Sequence, residues 1–445
     1  LYNYFVNNLS PKQIIVIGGG PAGTQAALAA AGPGRHVTLV SDGLPGGRAA
    51  WQNLMPSKLW LEARPPVDMD RMRDQLDRVV GTWQRQLLDE LEHASVELVL
   101  GTGSFVSSHE IQVVPPEGGY PDTYTADAFI LATGSVPFLP PGLQTDGERI
   151  LAPHLVMQMK ALPRDMIVIG AGGPATEYVD AFSRLGVIIT WITGPVAALS
   201  AYPQDAGRFI TGVMERRGVR IISGMMARQV ERVGDGVRVK TADGAVHHAE
   251  TAFIAIGHRP DLQRLNLPAA GLRVGSSGAM ATDPYGRTAV PHIYLAGDAA
   301  SPLSANISIA QGRVAGWHAA GLDVEPLHLD QAVMAIYTDP QIAMVGRMSD
   351  RTQVLHKIRV PFSACLRAHL QLQPWRAEES GFVEVAYDAE RRITGALAVC
   401  PEAAEILAPL AVALRAGMRI EDLAAVHTAH PTFTELAILA ARTAR

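Results

Sequence analysis

The chain has 445 residues, 48% of them apolar and 18% charged, with a formal net charge of −5. That length exceeds one compact core and calls for about two to four domains; the balance is that of a folded chain, and the slight acidity without a basic patch argues against a nucleic-acid partner. The only cysteines are Cys365 and Cys400, so no disulfide framework is in use.

Leu1–Ser10 has neither the basic start nor the long apolar core of a secretory signal. The most apolar helix-like run, Ile406–Leu414, contains Pro409 and falls well short of the ~20 residues that span a membrane. The expectation is a cytoplasmic protein with no membrane span.

Gln13–Ile17 is a β-branched run of the kind a buried parallel strand carries. It leads into Gly18-Gly19-Gly20-Pro21-Ala22-Gly23 and an alanine-rich helical stretch, Thr24–Ala31. A Gly-x-Gly-x-x-Gly turn between strand and helix is a dinucleotide fingerprint. Gly18 permits the tight turn, Gly20 lets the backbone approach a pyrophosphate, and Gly23 lets the helix pack on the strand. Taken alone, the motif also fits a purely structural turn. The next strand, His36–Val40, ends at Ser41 where an acidic ribose ligand is usual. Asp42 follows, as a ribose ligand or as a turn residue.

Arg71–His93 reads as a long polar helix, and Val96–Leu100 and Ile111–Val114 as strands. Met166–Ile169 is a further β-branched strand. It opens Gly170-Ala171-Gly172-Gly173-Pro174-Ala175 and an amphipathic helix to Leu185, a second fingerprint with Ala175 in the third glycine position. Two such turns about 150 residues apart, each between strand and helix, point to two dinucleotide sites. The strand Val187–Ile192 ends at Thr193-Gly194-Pro195, with no acid and no arginine through Ser200. The choice between NAD(H) and NADP(H) is therefore open, as is a second site that has stopped binding nucleotide.

Further segments follow in a familiar order. They are Gly46–Lys58 with its Pro56-Ser57-Lys58 ending, Ala132-Thr133-Gly134, Gly257-His258-Arg259-Pro260, Ala296-Gly297-Asp298, and His430-Pro431-Thr432-Phe433-Thr434-Glu435. Together with both fingerprints they resemble the flavoprotein disulfide reductases, the family of dihydrolipoamide dehydrogenase, glutathione reductase and mercuric reductase, from about Pro11 to Glu435. The resemblance implies an α/β fold with two Rossmann-like domains and a C-terminal α+β interface domain that forms a homodimer. The implied boundaries are 1–148 and 263–330 for FAD, 149–262 for the nicotinamide nucleotide, and 331–445 for the interface. It also implies FAD contacts from Gly18, Gly20, Gly23, Asp42, Thr133, Gly134, Gly257, Gly297 and Asp298, and nicotinamide-nucleotide contacts from Gly170, Gly172 and Ala175. Asp298 is expected to accept hydrogen bonds from the ribityl chain, and a helix over Ser308–His318 to start toward the flavin.

The family carries two redox cysteines in the segment Gly46–Lys58. Ala49 and Leu54 stand in their places, so a thiolate relay to a substrate disulfide is excluded. Cys365 and Cys400 lie in the interface domain and read as buried apolar residues. The resemblance puts Lys58 near the flavin, paired with Glu177, since two such charges are costly unless they meet. It makes His430 an acid–base residue oriented by Glu435, both reaching the partner subunit's active site. Without the thiols, His430 serves either as a proton donor, since an imidazole trades protons near neutral pH, or as a structural remnant. Trp51 and Asn53 are expected beside the vacated space, with core packing the favoured role for Trp51 over lining that space. Cysteine-less members that resemble lipoamide dehydrogenase act as NAD(P)H:quinone reductases, and Asp146-Gly147-Glu148-Arg149-Ile150-Leu151 looks similar to that branch. The expected function is an FAD-dependent NAD(P)H oxidoreductase delivering electrons directly to a small quinone-like acceptor. The alternative is a flavin-binding protein with little turnover, a sensor or a complex subunit.

Overall fold

The structure, a computed structural model, describes residues 11–275, 278–301, 304–370 and 381–444. It divides into two units, each built from separated stretches of chain.

The first unit takes the chain up to Met55, Arg73–Phe138 and His258–Leu327. Its centre is a parallel sheet in the order Ile293–Leu295, Ala128–Leu131, Lys12–Ile17, Arg35–Ser41, Glu97–Leu100. Ile14–Ile17, Ala128–Leu131 and Ile293–Leu295 are unbroken apolar runs buried on both faces, whereas the edge strand Glu97–Leu100 stays partly exposed. Helices Pro21–Ala30 and Ala305–Ala319 pack together closely. A Cβ on Gly312 would fall 2.1 Å from the Ala22 carbonyl oxygen, and one on Gly316 2.4 Å from that of Ala26. Gly312 and Gly316 are thus a packing requirement of this helix pair. An antiparallel sheet (Thr102–Ser107, Glu110–Val114, Asp122–Thr125) and a two-strand ribbon (Ser135–Pro137 with His258–Pro260) complete the unit.

The second unit takes Pro56–Met72, Leu139–Gly257 and the chain from His328 onward. A second parallel sheet runs Arg220–Ser223, Ile188–Gly194, Asp165–Ile169, Thr251–Ile254, Ile150–Leu151. The C-terminal sheet is antiparallel, in the order Met334–Ile336, Gln341–Gly346, Ile393–Cys400, Phe382–Tyr387, His356–Pro361. Helices Ala403–Arg415 and Glu435–Arg442 bury Leu407, Leu410, Leu436 and Ala440 in the cluster that holds this sheet's Ala396 and Ala398. One core cluster joins Trp60, Tyr178, Phe182, Trp191 and Phe253 to Ile342, Leu397 and Val399 of the C-terminal sheet.

Element boundaries differ from the sequence expectation for local reasons. The first helix begins at Pro21 rather than Thr24, since a proline's fixed φ suits the first helical position. The long helix is Met69–His93, starting two residues early because the Asp68 carboxylate accepts the N–H groups of Asp70 and Arg71 at 3.0 Å each. It is also less uniformly polar than it reads: Leu76, Val80, Leu87 and Leu91 form a buried stripe at helical spacing.

Candidate active site: two dinucleotide turns and two ion pairs

In the first unit the Lys12–Ile17 strand delivers the turn Gly18–Gly23. Gly18 has φ +113°, and a Cβ there would sit 2.3 Å from the Ala132 carbonyl oxygen. A Cβ on Gly23 would fall 1.8 Å from the Gly18 oxygen, while at Gly20 it would meet nothing within 4 Å. Gly18 and Gly23 are therefore demanded by packing, and Gly20 opens onto free space at the start of a ten-residue helix. That combination fits a pyrophosphate on the helix N-terminus. Ser41 is buried against Gly19, whereas Asp42 is exposed.

Around this turn the expected FAD segments interlock. Thr133 spends its hydroxyl on the Asp261 carbonyl at 2.7 Å, and the Asp261 N–H returns to the Gly134 oxygen at 3.0 Å. Asp298 accepts from the Ser135 hydroxyl at 2.7 Å and faces that of Ser308 at 3.4 Å. His258 Nε2 is buried with no hydrogen-bond partner among the described residues. Burial lowers the pKa of this imidazole, against the opposing pull of Asp298. An orphaned ring nitrogen beside an oriented carboxylate fits a polar ligand. Gly257 is exposed, with open space in front of its Cα, and the Gly297 N–H is taken by the Gln311 side chain at 2.9 Å. The helix expected from Ser308 starts earlier, at Ala305.

The second unit repeats the turn. Gly170 has φ +136°, and a Cβ there would lie 2.1 Å from the Ala255 oxygen; in front of Gly172 only Pro174 Cδ comes within reach, at 3.9 Å. Ala175 is fully buried, so its methyl is accommodated where the first turn requires glycine. The strand Ile188–Gly194 ends with Thr193 buried, and the next ionisable carboxylate in the chain is Asp205, itself paired with Arg208 and Arg359 at 2.7 Å each.

Lys58 and Glu177, 119 positions apart, meet. Lys58 Nζ donates to both carboxylate oxygens of Glu177, at 2.8 and 2.9 Å. The Glu177 side chain is 8% exposed and that of Lys58 32%. Sequence reasoning missed a third member. The Tyr337 backbone N–H donates to Glu177 Oε1 at 2.9 Å, and its ring lies 4.4 Å from Lys58 Nζ, a cation–π distance. Burial, then Glu405 and Glu177, push the Tyr337 phenol up; burial, then Glu177 and Tyr337, do the same to Tyr202.

His430 Nδ1 is 2.7 Å from Glu435 Oε1, and Glu435 Oε2 accepts the Thr432 N–H at 2.9 Å. Burial acts to raise the Glu435 carboxyl, but Thr432, His430 and Arg442 outweigh it and hold the pKa below the usual glutamate value. The His430 side chain is 62% exposed. No hydrogen bond or ion pair among the described residues links this pair to Lys58 and Glu177.

Both cysteines are buried and free. Cys365 donates to the Thr432 carbonyl at 3.0 Å, and burial raises both thiols, so neither is a ready thiolate. Trp51 departs from its expected core role: it is 42% exposed. Its five-residue helix, Gly47–Trp51, buries Ala50, and about 100° of helical rotation then turns the next side chain outward. Asn53 Oδ1 is buried without a partner among the described residues. Among those residues no group of three or more side chains could hold a metal ion, and no helix is long and apolar enough to cross a membrane.

Comparison with known proteins is consistent across nearly the whole chain. The family model for pyridine nucleotide-disulphide oxidoreductases matches residues 12–321, and that for their dimerisation domain matches 332–441. The chain is 32% identical to dihydrolipoyl dehydrogenase 2 of Haloarcula marismortui, covering 97% of this chain and 96% of the relative. It is 30% identical to an NAD(P)H dehydrogenase (quinone) of Mycobacterium tuberculosis, covering 97% and 93%. The crystal structure of LpdA from Mycobacterium tuberculosis superimposes with a TM-score of 0.90 at 28% identity, covering 97% of this chain and 99% of that one. The chain belongs to the pyridine nucleotide-disulphide oxidoreductase family, flavoprotein oxidoreductases that use FAD and NAD(P)H.

Proposed function

We propose that this oxidoreductase passes electrons from NAD(P)H through FAD directly to a small quinone-type acceptor, as a homodimer and without a redox disulfide. The observation that carries the proposal is a contrast. The two thiol positions hold Ala49 and Leu54, and the only cysteines are buried elsewhere with raised pKa values. Yet the Lys58–Glu177 pair is fully formed. Bound FAD supplies two-electron chemistry, accepting a hydride from NAD(P)H and returning two electrons to the acceptor. The net reaction, NAD(P)H plus a proton plus quinone giving NAD(P)+ plus hydroquinone, needs no thiol.

The chain's own residues divide the work. Gly18, Gly20 and Gly23 receive FAD, Gly170, Gly172 and Ala175 receive the nicotinamide nucleotide, and Lys58 with Glu177 serves flavin reduction. His430, oriented by Glu435, supplies a proton to the reduced acceptor. Among the relatives, the Mycobacterium tuberculosis NAD(P)H dehydrogenase (quinone) supports this acceptor class, while several others are dihydrolipoyl dehydrogenases. A lipoamide substrate requires the dithiol that Ala49 and Leu54 remove.

Anaerobic addition of NADH or NADPH tests the reading. The flavin band near ~450 nm bleaches without a long-wavelength charge-transfer band, and a quinone then restores it where lipoamide does not. A second reading, a flavin-binding protein with little turnover, draws on the missing ribose-specific side chain after Thr193. Absence of bleaching with either nucleotide selects it.

A further inference from the structure

Arg48 is the only charged residue between Asp42 and Lys58. Its guanidinium is ion-paired with Asp261 and donates to the Ser135 carbonyl at 2.8 Å, with the Thr133 carbonyl at 3.5 Å. The two side chains are 31% and 15% exposed. Asp261 is already tied to the same crossing through the Thr133 hydroxyl and the Gly134 carbonyl. Arg48 thus closes a ring: helix Gly47–Trp51 to Asp261, Asp261 to Thr133 and Gly134, and Ser135 back to Arg48. A helix of five residues has no stability of its own, so such anchors decide where it stands. Its other anchors lie on the first dinucleotide turn. The Gly46 N–H donates to the Gly19 carbonyl at 2.8 Å, and a Cβ on Gly47 would fall 2.9 Å from Gly20 Cα. Beyond the ring, the Ser135 hydroxyl orients the Asp298 carboxylate at 2.7 Å.

We infer that Arg48 and Asp261 form a clamp that fixes the Gly18–Gly23 turn, the Thr133–Ser135 crossing and Asp298 in one arrangement, and so holds FAD. Both are positioning residues: Arg48 acts through the Ser135 and Thr133 carbonyls, and Asp261 acts through Arg48. This rests on FAD as the cofactor and is independent of the acceptor. A rival role for Arg48, direct charge pairing with the FAD pyrophosphate, predicts the opposite response at Asp261. Removing the Asp261 charge would then free the guanidinium and tighten FAD.

The test is FAD release from the holoenzyme, followed by the rise in flavin fluorescence, together with the circular dichroism of the bound flavin band. Arg48→Met and Asp261→Asn each speed release by about tenfold or more, since each breaks a charge-assisted contact. The double variant releases FAD no faster than the faster single one, because one interaction has been removed twice. The swapped pair, Arg48→Asp with Asp261→Arg, slows release again and restores the dichroic band. Slower release from Asp261→Asn, single effects that multiply in the double variant, or release unchanged in both singles overturns the clamp. If a single variant does not fold, the swapped pair decides: recovery supports the clamp and its absence overturns it.

Discussion

Lys58 and Glu177 are partners of unequal vulnerability, and the inequality is measurable. Lys58→Met strands a carboxylate that is 8% exposed, with the Tyr337 N–H at 2.9 Å as its remaining donor. Glu177→Gln strands an ammonium that is 32% exposed, reaches water, and keeps the Tyr337 ring at 4.4 Å. Breaking a buried pair costs about 3–5 kcal/mol and an exposed pair about 0–1 kcal/mol. Weighting by exposure, Lys58→Met costs about 2–3 kcal/mol and Glu177→Gln about 1 kcal/mol. At roughly 1–2 °C per kcal/mol for a chain of 445 residues, the melting temperature falls about two to three times as far for the lysine variant. Scanning fluorimetry of the holoenzymes measures both. Stopped-flow mixing with NAD(P)H under anaerobic conditions reads the function, and both variants slow flavin reduction by about tenfold or more, at 1.36 kcal/mol per decade. A larger stability loss for Glu177→Gln, or unchanged reduction in both, refutes the reasoning.

Other substitutions separate the steps. His430→Ala lowers acceptor turnover by about a hundredfold, the low end for a positioned general acid, and leaves anaerobic flavin reduction intact; equal loss in both steps excludes proton donation. Cys365→Ala and Cys400→Ala leave quinone turnover within about twofold, and a larger loss in either returns a thiol to the mechanism. Asp180 provides a pH test: burial pushes its carboxyl up to about 6, although Arg184 and Arg217 pull it down. An unfolded aspartate titrates near ~3.9, so between about pH 7.5 and 5 only the folded chain takes up this proton. Wild type therefore gains about 1.4 kcal/mol over Asp180→Asn on acidification; melting at both pH values checks the sign, and a gap moving the other way refutes it.

What the sequence made legible follows from how local each requirement is. The Gly18–Gly23 and Gly170–Ala175 turns are readable because strand, turn and helix are contiguous in sequence, even though the carbonyls that Gly18 and Gly170 approach, at Ala132 and Ala255, lie far along the chain. Lys58 and Glu177 are not contiguous; the resemblance paired them, and no periodicity could have done so. Tyr337 carries no sequence signal, because it acts through its backbone N–H on a carboxylate 160 positions away, from the end of the sheet strand Met334–Ile336. Arg48 carried a signal, a lone charge in an apolar stretch, but its partner Asp261 lies 213 positions away. Trp51 stands exposed because its one-turn helix buries Ala50 and so turns the next side chain outward, which residue type alone does not reveal.

The two ion pairs also differ in what stability alone explains. Glu177 is nearly buried and would be costly without Lys58, so that pair has a structural reason to exist even in a protein that never turns over. His430 is 62% exposed, and an exposed pair contributes about 0–1 kcal/mol. The Thr432 N–H occupies Glu435 whether or not the imidazole is there, so removing the ring leaves the carboxylate still partnered. Folding therefore places little demand on His430, and its presentation to solvent suits an imidazole that meets something outside its own chain. A protein that only binds flavin should tolerate His430→Ala in every assay, whereas one that protonates an acceptor loses turnover while its flavin still bleaches. That single substitution separates proton donation from a bystander role for His430, at the residue where stability has least to say.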